Sequence, residues 1–177
     1  MSELKVETPR LIICELQENM AAAVYLNSLN EELNKYVNDE VFASEEEALQ
    51  MIKKLRTCYG SKQGPFVYGL LLRNNLQNIG YVQLIRLNDN DWEVGYHIAA
   101  KHRRQGYAVE ALNAFLKFWK WELAYANIWG ICHPDNIASH KVLLSCGFEL
   151  TESTIMEFQG KLQEVKKFRW ITEKPET

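Results

Sequence analysis

The stretch KHRRQGYAVEALNAFLKFWKWELAY, residues 101–125, decides how the rest of the chain is interpreted. Its first four residues are three cations and a histidine, and Gly106 separates them from a run of apolar residues. From Gly106 onward the apolar positions recur at spacings of three and four, which predicts an amphipathic helix with one buried stripe. The stripe consists of Ala108, Ala111, Leu112, Phe115, Phe118 or Trp119, and Leu123.

The entrance of this helix has the features of a phosphate site. The first amides of a helix have no internal partners, and together with the helix dipole they favour an anion. Gly106 allows close approach to the backbone, and Arg103, Arg104 and Lys101 add positive charge. The alternative is a solvated basic turn. The chain contains neither G-x-x-x-x-G-K-[ST] nor G-x-G-x-x-G, so two other phosphate-binding loops are excluded.

The segments around this helix predict a mixed sheet with helices on its faces, in a single domain spanning residues 1–177. LKVETPRLIICEL is predicted as a first strand, and PFVYGLLLRNNLQNIGYVQLIRL as two strands that turn at Asn74 and Asn75. WEVGYHIA adds a third strand to this meander, directly before the phosphate turn. NIWGICH is a later strand, and two closing strands flank Gly160 as a hairpin.

Three further helices are predicted. The first lies in ENMAAAVYLNSLNEELNKYV, with apolar residues Met20, Val24, Leu26 and Leu29 at helical spacing. SEEEALQMIKKLRTCYG begins with a capping box of Ser44 and Glu47 and has Gly60 as its stop, and DNIASHKVLLSCGF is a short helix that ends at Gly147.

Composition narrows the class of protein. The 177 residues carry a net charge of −3, which argues against nucleic acid as the main partner. No apolar run approaches the roughly 18 residues of a membrane span, and the start lacks the pattern of a signal peptide. The expected location is therefore the cytoplasm. The four cysteines and four histidines form no metal-ligand spacing, so no metal is expected.

The chain resembles a known family at several places. Arg103-Arg104-Gln105-Gly106-Tyr107-Ala108 matches [RQ]-x-x-G-x-[GA], the pyrophosphate motif of the GCN5-related N-acetyltransferases, the GNAT family. TPRLII, EVGYHIAAKHRRQGYAVEAL and HPDNIASHKVLLSCGFE resemble, in the same order, the branch that includes the ribosomal-protein N-terminal acetyltransferases. These matches extend from Thr8 to Glu149.

The resemblance implies an α/β (α+β) fold with a mixed, mostly antiparallel, V-shaped central sheet that admits the pantetheine arm of acetyl-CoA. It assigns the cofactor to three groups of residues. They are the strand residues Tyr96, His97, Ile98 and Ala99, the turn Arg103, Arg104, Gln105, Gly106, Tyr107 and Ala108, and the pair Asn136 and Ser139. Without the resemblance, Asp135 or Asn136 is explained as a helix cap and Ser139 as a surface residue.

Acetyl transfer to an amine requires a base, stabilisation of the carbonyl oxygen and a proton for the leaving thiolate. Glu93 is the first candidate for the base, while His97 or a water relay remains open; a sheet histidine hydrogen-bonded to backbone is the alternative for His97. Ser139 is the candidate proton donor, and the amide of Ile98 is implied as the carbonyl partner. Direct attack on acetyl-CoA is favoured over Cys132 or Cys146 as nucleophile.

The acceptor is a primary amine, either a protein N-terminal α-amine or a small molecule. Acidic residues near the first two helices would attract a cationic amine or simply favour a helix start: Asp39, Glu40, Glu45, Glu46 and Glu47. Cys14 and His133 depart from residues common in the branch, which leaves the acceptor open.

An alternative to the enzyme is a regulatory or interaction module that binds acyl-CoA without turnover. The chain is expected to be a monomer or a homodimer. Core packing or an interface explains its tryptophans equally well: Trp119, Trp121, Trp129 and Trp170.

Overall fold

The protein forms one eight-stranded sheet with helices on both faces. The computed structural model describes residues 5–29, 36, 41–61, 63–120, 123, 126–158 and 160–171. The strands are β1 (Lys5–Glu7), β2 (Leu11–Glu15), β3 (Phe66–Leu72), β4 (Asn78–Arg86), β5 (Asp91–Ile98), β6 (Asn127–Cys132), β7 (Phe148–Phe158) and β8 (Lys161–Trp170). The helices are α1 (Ala21–Ser28), α2 (Glu45–Arg56), α3 (Tyr107–Trp119) and α4 (Ile137–Ser145).

The order of strands across the sheet is β1-β2-β3-β4-β5-β6-β8-β7. Strands β5 and β6 run parallel, and each of the other neighbouring pairs within the described residues runs antiparallel. The parallel pair is joined through α3, as parallel strands require a crossover. The predicted mixed, mostly antiparallel sheet flanked by helices is therefore confirmed.

Strands β5 and β6 separate halfway along their length. They pair from Asp91 opposite Asn127 to Glu93 opposite Trp129, whereas β5 continues to Ile98 and β6 to Cys132. Beyond this point β5 stays paired with β4 and β6 with β8. The region in which the two strands diverge, called the split below, gives the sheet the V shape that the sequence resemblance implies.

The two faces of the sheet carry different helices. Helices α1 and α2 pack against each other, and α1 also contacts β4. Helices α3 and α4 lie on the other face, where Leu112 and Phe115 of α3 belong to the larger hydrophobic core. Both side chains are fully buried, and truncating such a side chain to alanine typically costs about 2–5 kcal/mol. The core therefore holds α3 firmly against the sheet, beside the split.

Several local predictions are confirmed. Ser44 accepts a hydrogen bond from the Glu47 amide (3.2 Å), and the Glu47 carboxylate accepts one from the Ala43 amide (2.5 Å), which is a capping arrangement at the start of α2. The hairpin at Gly160 and the stop at Gly147 are present, both with positive φ. Helix α2 itself ends at Arg56, before the predicted Gly60.

Two predictions of secondary structure need correction. The predicted first strand is two antiparallel strands, because the chain reverses at Thr8, where the amide donates to the Leu11 carbonyl (2.9 Å). In α1, Leu26 is 65% exposed and Leu29 47% exposed, so the predicted apolar stripe is wrong there. Helix α1 buries a narrower face, because it packs mainly against α2 and β4. The remainder of that predicted helix lies outside the described residues.

Two of the tryptophans, Trp119 and Trp170, pack against the hydrophobic core. In the α3 stripe, Trp119 packs between Phe66 and Phe115, whereas Phe118 is 41% exposed. Trp170 packs on the core and donates to the Cys146 carbonyl (3.1 Å). Trp121 lies outside the described residues.

Cys14, Cys58, Cys132 and Cys146 are free thiols. Within the described part of the chain, no cluster of three or more histidine, cysteine or acidic side chains could hold a metal ion. No helix in that part is long and apolar enough to cross a membrane.

Candidate active site at the split

The basic turn leads directly from β5 into α3. Arg104 has φ 60° and Gly106 has φ 80°, both in the left-handed region. A positive φ is uncommon for arginine and marks a tightly constrained turn. The amide of Glu110 makes the first helical bond, to the Gly106 carbonyl (3.1 Å), so the amides of residues 107–109 precede the helical ladder. This geometry fits a pyrophosphate held by backbone amides.

Arg10 and Glu110 form a clamp beneath this turn. The Arg10 Nε lies 2.6 Å from one Glu110 oxygen, and the Arg10 amide donates to the other (2.8 Å). Arg10 Nη1 also donates to the Gln105 carbonyl (2.8 Å), and the guanidinium stacks 4.4 Å above the Tyr107 ring. Thr8 donates a 2.6 Å hydrogen bond to Glu110. The clamp therefore connects the start of the chain to the turn on both sides of Gly106.

Sequence reasoning missed this clamp. In the sequence, the segment TPRLII indicates only a resemblance to the family. No pattern among neighbouring residues connects Arg10 with a glutamate one hundred positions later. The pKa of Glu110 lies below its ordinary value: partial burial raises it, but hydrogen bonds from Thr8 and Arg10 and the guanidinium charge outweigh that effect. Glu110 is therefore a charged partner for Arg10 at neutral pH.

The cations of the turn have different roles. Arg103 is half-buried, and its Nε donates to the Ile98 carbonyl at 2.9 Å. Lys101, Arg104 and Gln105 are exposed. Arg103 therefore braces the end of β5, whereas the exposed side chains are available to an anion at the turn.

The direction of the amides in β5 follows from its pairing with β4. The Ala99 amide donates to the Ile79 carbonyl (2.8 Å), and hydrogen-bonded pairs alternate along an antiparallel ladder. The amides of His97 and Ala99 consequently point to β4, whereas those of Tyr96 and Ile98 point into the split. A Cβ on Gly80 would lie 1.9 Å from the His97 carbonyl oxygen, so this close approach of β4 requires glycine.

Glu93 stands where β5 and β6 begin to separate. It is half-buried, and desolvation raises the pKa of its carboxyl to about 7. Its direct neighbour on β4 is Ile85, which places Glu93 on the sheet face that carries α1 and α2. A carboxyl that titrates near neutrality can exchange a proton at physiological pH.

His97 lies four residues after Glu93 in β5, on the same face of the sheet. Its side chain is 7% exposed, and Nε2 is buried without a hydrogen-bond partner among the described residues. Burial, with a contribution from the Arg103 charge, lowers the pKa of His97 to about 4. The backbone hydrogen bond expected for a structural histidine is thus absent at Nε2, and the ring is neutral at neutral pH.

Ser139 approaches the split from the opposite face. Its hydroxyl lies 2.8 Å from the hydroxyl of Tyr96, whose oxygen is also 3.2 Å from the Ser139 carbonyl. Asn136 caps α4 by accepting from the Ser139 amide (3.2 Å). The capping role predicted for Asp135 or Asn136 therefore belongs to Asn136, and the Tyr96 hydroxyl is a contact that sequence reasoning missed.

Two cysteines lie close to this hydroxyl pair. Burial raises the pKa of the Cys132 thiol to about 11, and that of Cys146 to about 11. Both are protonated at neutral pH, and a protonated thiol is a poor nucleophile.

A cavity of about 510 Å³ occupies the split. Its lining includes Glu93, Tyr96, Ser139 and Asn136, and also His133, one of the two departures from the branch. The other departure, Cys14, is half-buried in β2. The two predicted catalytic residues, Glu93 and Ser139, therefore both line the split cavity.

A second cavity, of about 490 Å³, lies between the sheet and helices α1 and α2. Tyr81, Gln83 and Ile85 line both cavities. The predicted acidic residues Glu45, Glu46 and Glu47 are exposed in the first turn of α2 and line neither cavity. They are solvated acids at a helix start; Asp39 and Glu40 lie outside the described residues.

Known proteins are similar to this chain in sequence and in fold. Residues 10–149 match the family model described as the acetyltransferase (GNAT) domain. The chain is 30% identical over 146 residues to the uncharacterized N-acetyltransferase YoaA of Bacillus subtilis strain 168, which covers 81% of this chain and 82% of that protein. A second Bacillus subtilis protein, the uncharacterized N-acetyltransferase YnaD, is 27% identical over 145 residues, 81% of this chain and 82% of its own length.

Solved structures agree in fold at lower identity. A putative ribosomal-protein-serine acetyltransferase from Vibrio cholerae superimposes with a TM-score of 0.78 and 22% identity, over 96% of this chain and 98% of that one. RimL, a ribosomal L7/L12 α-N-protein acetyltransferase in complex with coenzyme A, superimposes with a TM-score of 0.82 and 17% identity. The match covers 95% of this chain and 98% of that one. Since the family model spans most of the chain, the protein belongs to the GNAT family and is an acetyl-CoA-dependent N-acetyltransferase.

Proposed function

We propose that the enzyme transfers the acetyl group to a primary amine, either a protein N-terminal α-amine or a small-molecule amine, by direct attack of the amine on acetyl-CoA. The observation that carries this proposal is the placement of Glu93 and Ser139 on opposite walls of the split cavity. The amine must lose a proton on one side of the thioester, and the thiolate must gain one on the other. Two proton-exchanging groups on opposite walls meet this requirement.

Glu93 is the proposed base. Its pKa of about 7 leaves it largely ionised at slightly alkaline pH, where it can accept a proton. An α-amino group has a reference pKa of about 7.7–8.0, far below the roughly 10.4 of lysine. The match between base and α-amine favours an amine of low pKa as the acceptor. His97 titrates at about 4, too low to hold the proton of an amine at neutral pH.

Ser139 is the proposed proton donor to the leaving thiolate. A serine alone is a weak acid, but the Tyr96 hydroxyl lies 2.8 Å away and can stabilise the negative charge that develops on the Ser139 oxygen through a hydrogen bond. Burial raises the pKa of Tyr96, so the phenol stays protonated and its O–H group can donate a hydrogen bond to Ser139. Tyr96 therefore acts through Ser139 as a positioning residue.

Backbone groups and the basic turn complete the proposed site. The Ile98 amide, which points into the split, would bind the acetyl oxygen. Residues 103–108 would hold the pyrophosphate, and Tyr96, Asn136 and Ser139 would border the pantetheine arm. The protonated state of Cys132 and Cys146 supports transfer without an acyl-enzyme.

The proposal is tested by following thiol release from acetyl-CoA with and without a panel of primary amines. Mass spectrometry of the amines identifies the products. Amine-dependent thiol release with an equal yield of N-acetyl product supports the proposal. Tight binding of acetyl-CoA with no acetylated amine in the panel would contradict it and favour a cofactor-binding module.

A further inference from the structure

The cavity beneath α1 and α2, called the apolar cavity here, has a predominantly apolar lining with some polar side chains. Aliphatic and thioether side chains dominate its lining: Val24, Met51, Ile52, Leu55, Val67 and Ile85. Its volume of about 490 Å³ falls within the range of roughly 300–1,000 Å³ that is typical of small-molecule sites. A space of this size and lining favours an apolar group as its occupant.

Several polar side chains on the wall already form hydrogen bonds or ion pairs within the protein. Ser28 donates to the Tyr25 carbonyl (2.7 Å), and Arg86 pairs with Asp89 (2.7 Å). No carboxylate occurs among the described residues that line the cavity. Among the residues that the structure describes, the lining of the apolar cavity therefore offers no counter-charge to a second ammonium group on a polyamine.

The apolar cavity adjoins the proposed reaction centre. Three residues of its β4 wall, Tyr81, Gln83 and Ile85, also line the split cavity. Ile85 is the direct cross-strand neighbour of Glu93. An acceptor with its amine beside Glu93 would thus have its nearest substituents at Ile85, at the mouth of the apolar cavity.

His97 adds a polar point to this wall. Its unpartnered Nε2 is buried, and His97 lines the apolar cavity within the same face as Glu93. A neutral imidazole can exchange one hydrogen bond with a bound polar group without introducing charge. One polar contact beside a large apolar surface suits a monoamine better than a polycation.

We propose that the acceptor carries a large apolar group next to its amine, as in an N-terminal phenylalanine or leucine of a peptide, or a free arylalkyl amine. This inference rests on the proposed function. In the transfer the amine nitrogen forms the bond to the acetyl carbon as the carbon–sulfur bond breaks. Glu93 takes the amine proton and Ser139 protonates the thiolate, which gives the N-acetyl amide and coenzyme A. Glu93 then releases its proton to water and Ser139 takes one up from water, so that both groups return to their starting states.

The first test compares peptides of identical sequence that begin with Phe, Leu, Ala or Ser, together with phenethylamine and spermidine. One methylene in an apolar pocket changes kcat/KM by about 10–200-fold. The Phe and Leu peptides are therefore expected to exceed the Ala and Ser peptides by at least about 10-fold. The ratio of the Phe peptide to phenethylamine distinguishes a peptide from a small-molecule acceptor.

The second test places a charge in the apolar cavity. Met51 lines it and is 38% exposed, so Met51→Glu can be accommodated in the fold. This variant is expected to raise KM for the Phe peptide by at least about 10-fold and to raise KM for the Ala peptide by a smaller factor. Gln50→Glu adds the same charge at the neighbouring exposed position outside the lining and is expected to change neither.

The two tests separate this inference from the proposed function. Acetylation of the Ala and Ser peptides or of spermidine as fast as the Phe peptide overturns the apolar acceptor but leaves amine transfer intact. An equal effect of Met51→Glu on all peptides also overturns it. If no amine is acetylated, the proposed function fails, and the apolar acceptor fails with it.

Discussion

Arg10 and Glu110 meet at 2.6 Å beneath the turn that enters α3, although one hundred residues separate them in sequence. The same guanidinium donates to the Gln105 carbonyl and stacks on Tyr107, so one side chain contacts the turn on both sides of Gly106. Arg10 thereby braces the backbone of the turn that we propose to hold the pyrophosphate. It is a positioning residue, since it acts through the turn.

Replacing Arg10 is expected to weaken acetyl-CoA binding. Arg10→Met keeps an unbranched side chain of similar length but removes the N–H donors to Glu110 and Gln105. The turn then loses the hydrogen bond and the ion pair that hold it in place. We expect Kd for acetyl-CoA to rise about 10-fold, equivalent to about 1.4 kcal/mol, by calorimetric titration. Lys5→Met, which removes an exposed ion pair with Glu7, is the control and should leave Kd unchanged. Equal Kd values for both variants would exclude the positioning role.

Gly106→Asp is expected to abolish tight binding of acetyl-CoA. The φ of 80° strains any side chain at this position, and the added carboxylate repels the pyrophosphate. Gly60→Asp adds the same group in open space and provides the matched control. The titration should show a rise in Kd of at least about 10-fold for Gly106→Asp alone. A folded Gly106→Asp protein that binds like wild type would remove the turn from the site.

Substitutions at the hydroxyl pair are expected to lower kcat rather than raise KM. Ser139→Ala removes the proposed proton donor and should reduce kcat by roughly 10²-fold. Tyr96→Phe removes only its partner and should reduce kcat by about 10-fold. Ser145→Ala, an exposed serine at the end of the same helix, should have no effect. Steady-state kinetics at saturating acetyl-CoA measure all three, and a pure KM effect for Ser139→Ala would contradict a role in proton donation.

The raised pKa of Glu93 predicts a pH-dependent change in stability. The folded protein holds this proton up to about pH 7, whereas the unfolded chain releases it near the ordinary value of 4.5. Stability gained at low pH is therefore lost as pH rises through this window. Relative to Glu93→Gln, wild type should lose at most about 3 kcal/mol between about pH 5 and about pH 8.

Urea unfolding of both proteins at the two pH values measures this difference. Glu45→Gln, at an exposed acid in the first turn of α2, is the control and should show no comparable change. A difference between wild type and Glu93→Gln that stays constant with pH would show that Glu93 titrates normally.

Local signals explain which parts of the fold were predictable. The capping residues Ser44 and Glu47, the positive φ at Gly147 and the turn at Gly160 depend on neighbours in sequence, and the structure contains each of them. The family motif at residues 103–108 likewise coincides with the turn and with the first two residues of α3. The assignment of residues 1–177 to a single domain stays a prediction.

Long-range contacts explain what the sequence could not provide. The Arg10–Glu110 clamp and the Tyr96–Ser139 pair join elements distant in the chain, and no local pattern specifies such partners. The exposure of Leu26 depends on how little of α1 its neighbours cover. The apolar cavity is formed jointly by helices, a loop and three strands, so its chemistry becomes visible only after folding.

The most direct test of the account is the pH dependence of kcat/KM for wild type and Glu93→Gln with one acetylated amine. If Glu93 is the base, wild-type kcat/KM rises with pH through an apparent pKa of about 7. Glu93→Gln should lose that step and about 10²–10⁴-fold in rate, and should keep only the rise due to the amine itself. A variant with the wild-type profile and rate would contradict the assignment of Glu93 as the base.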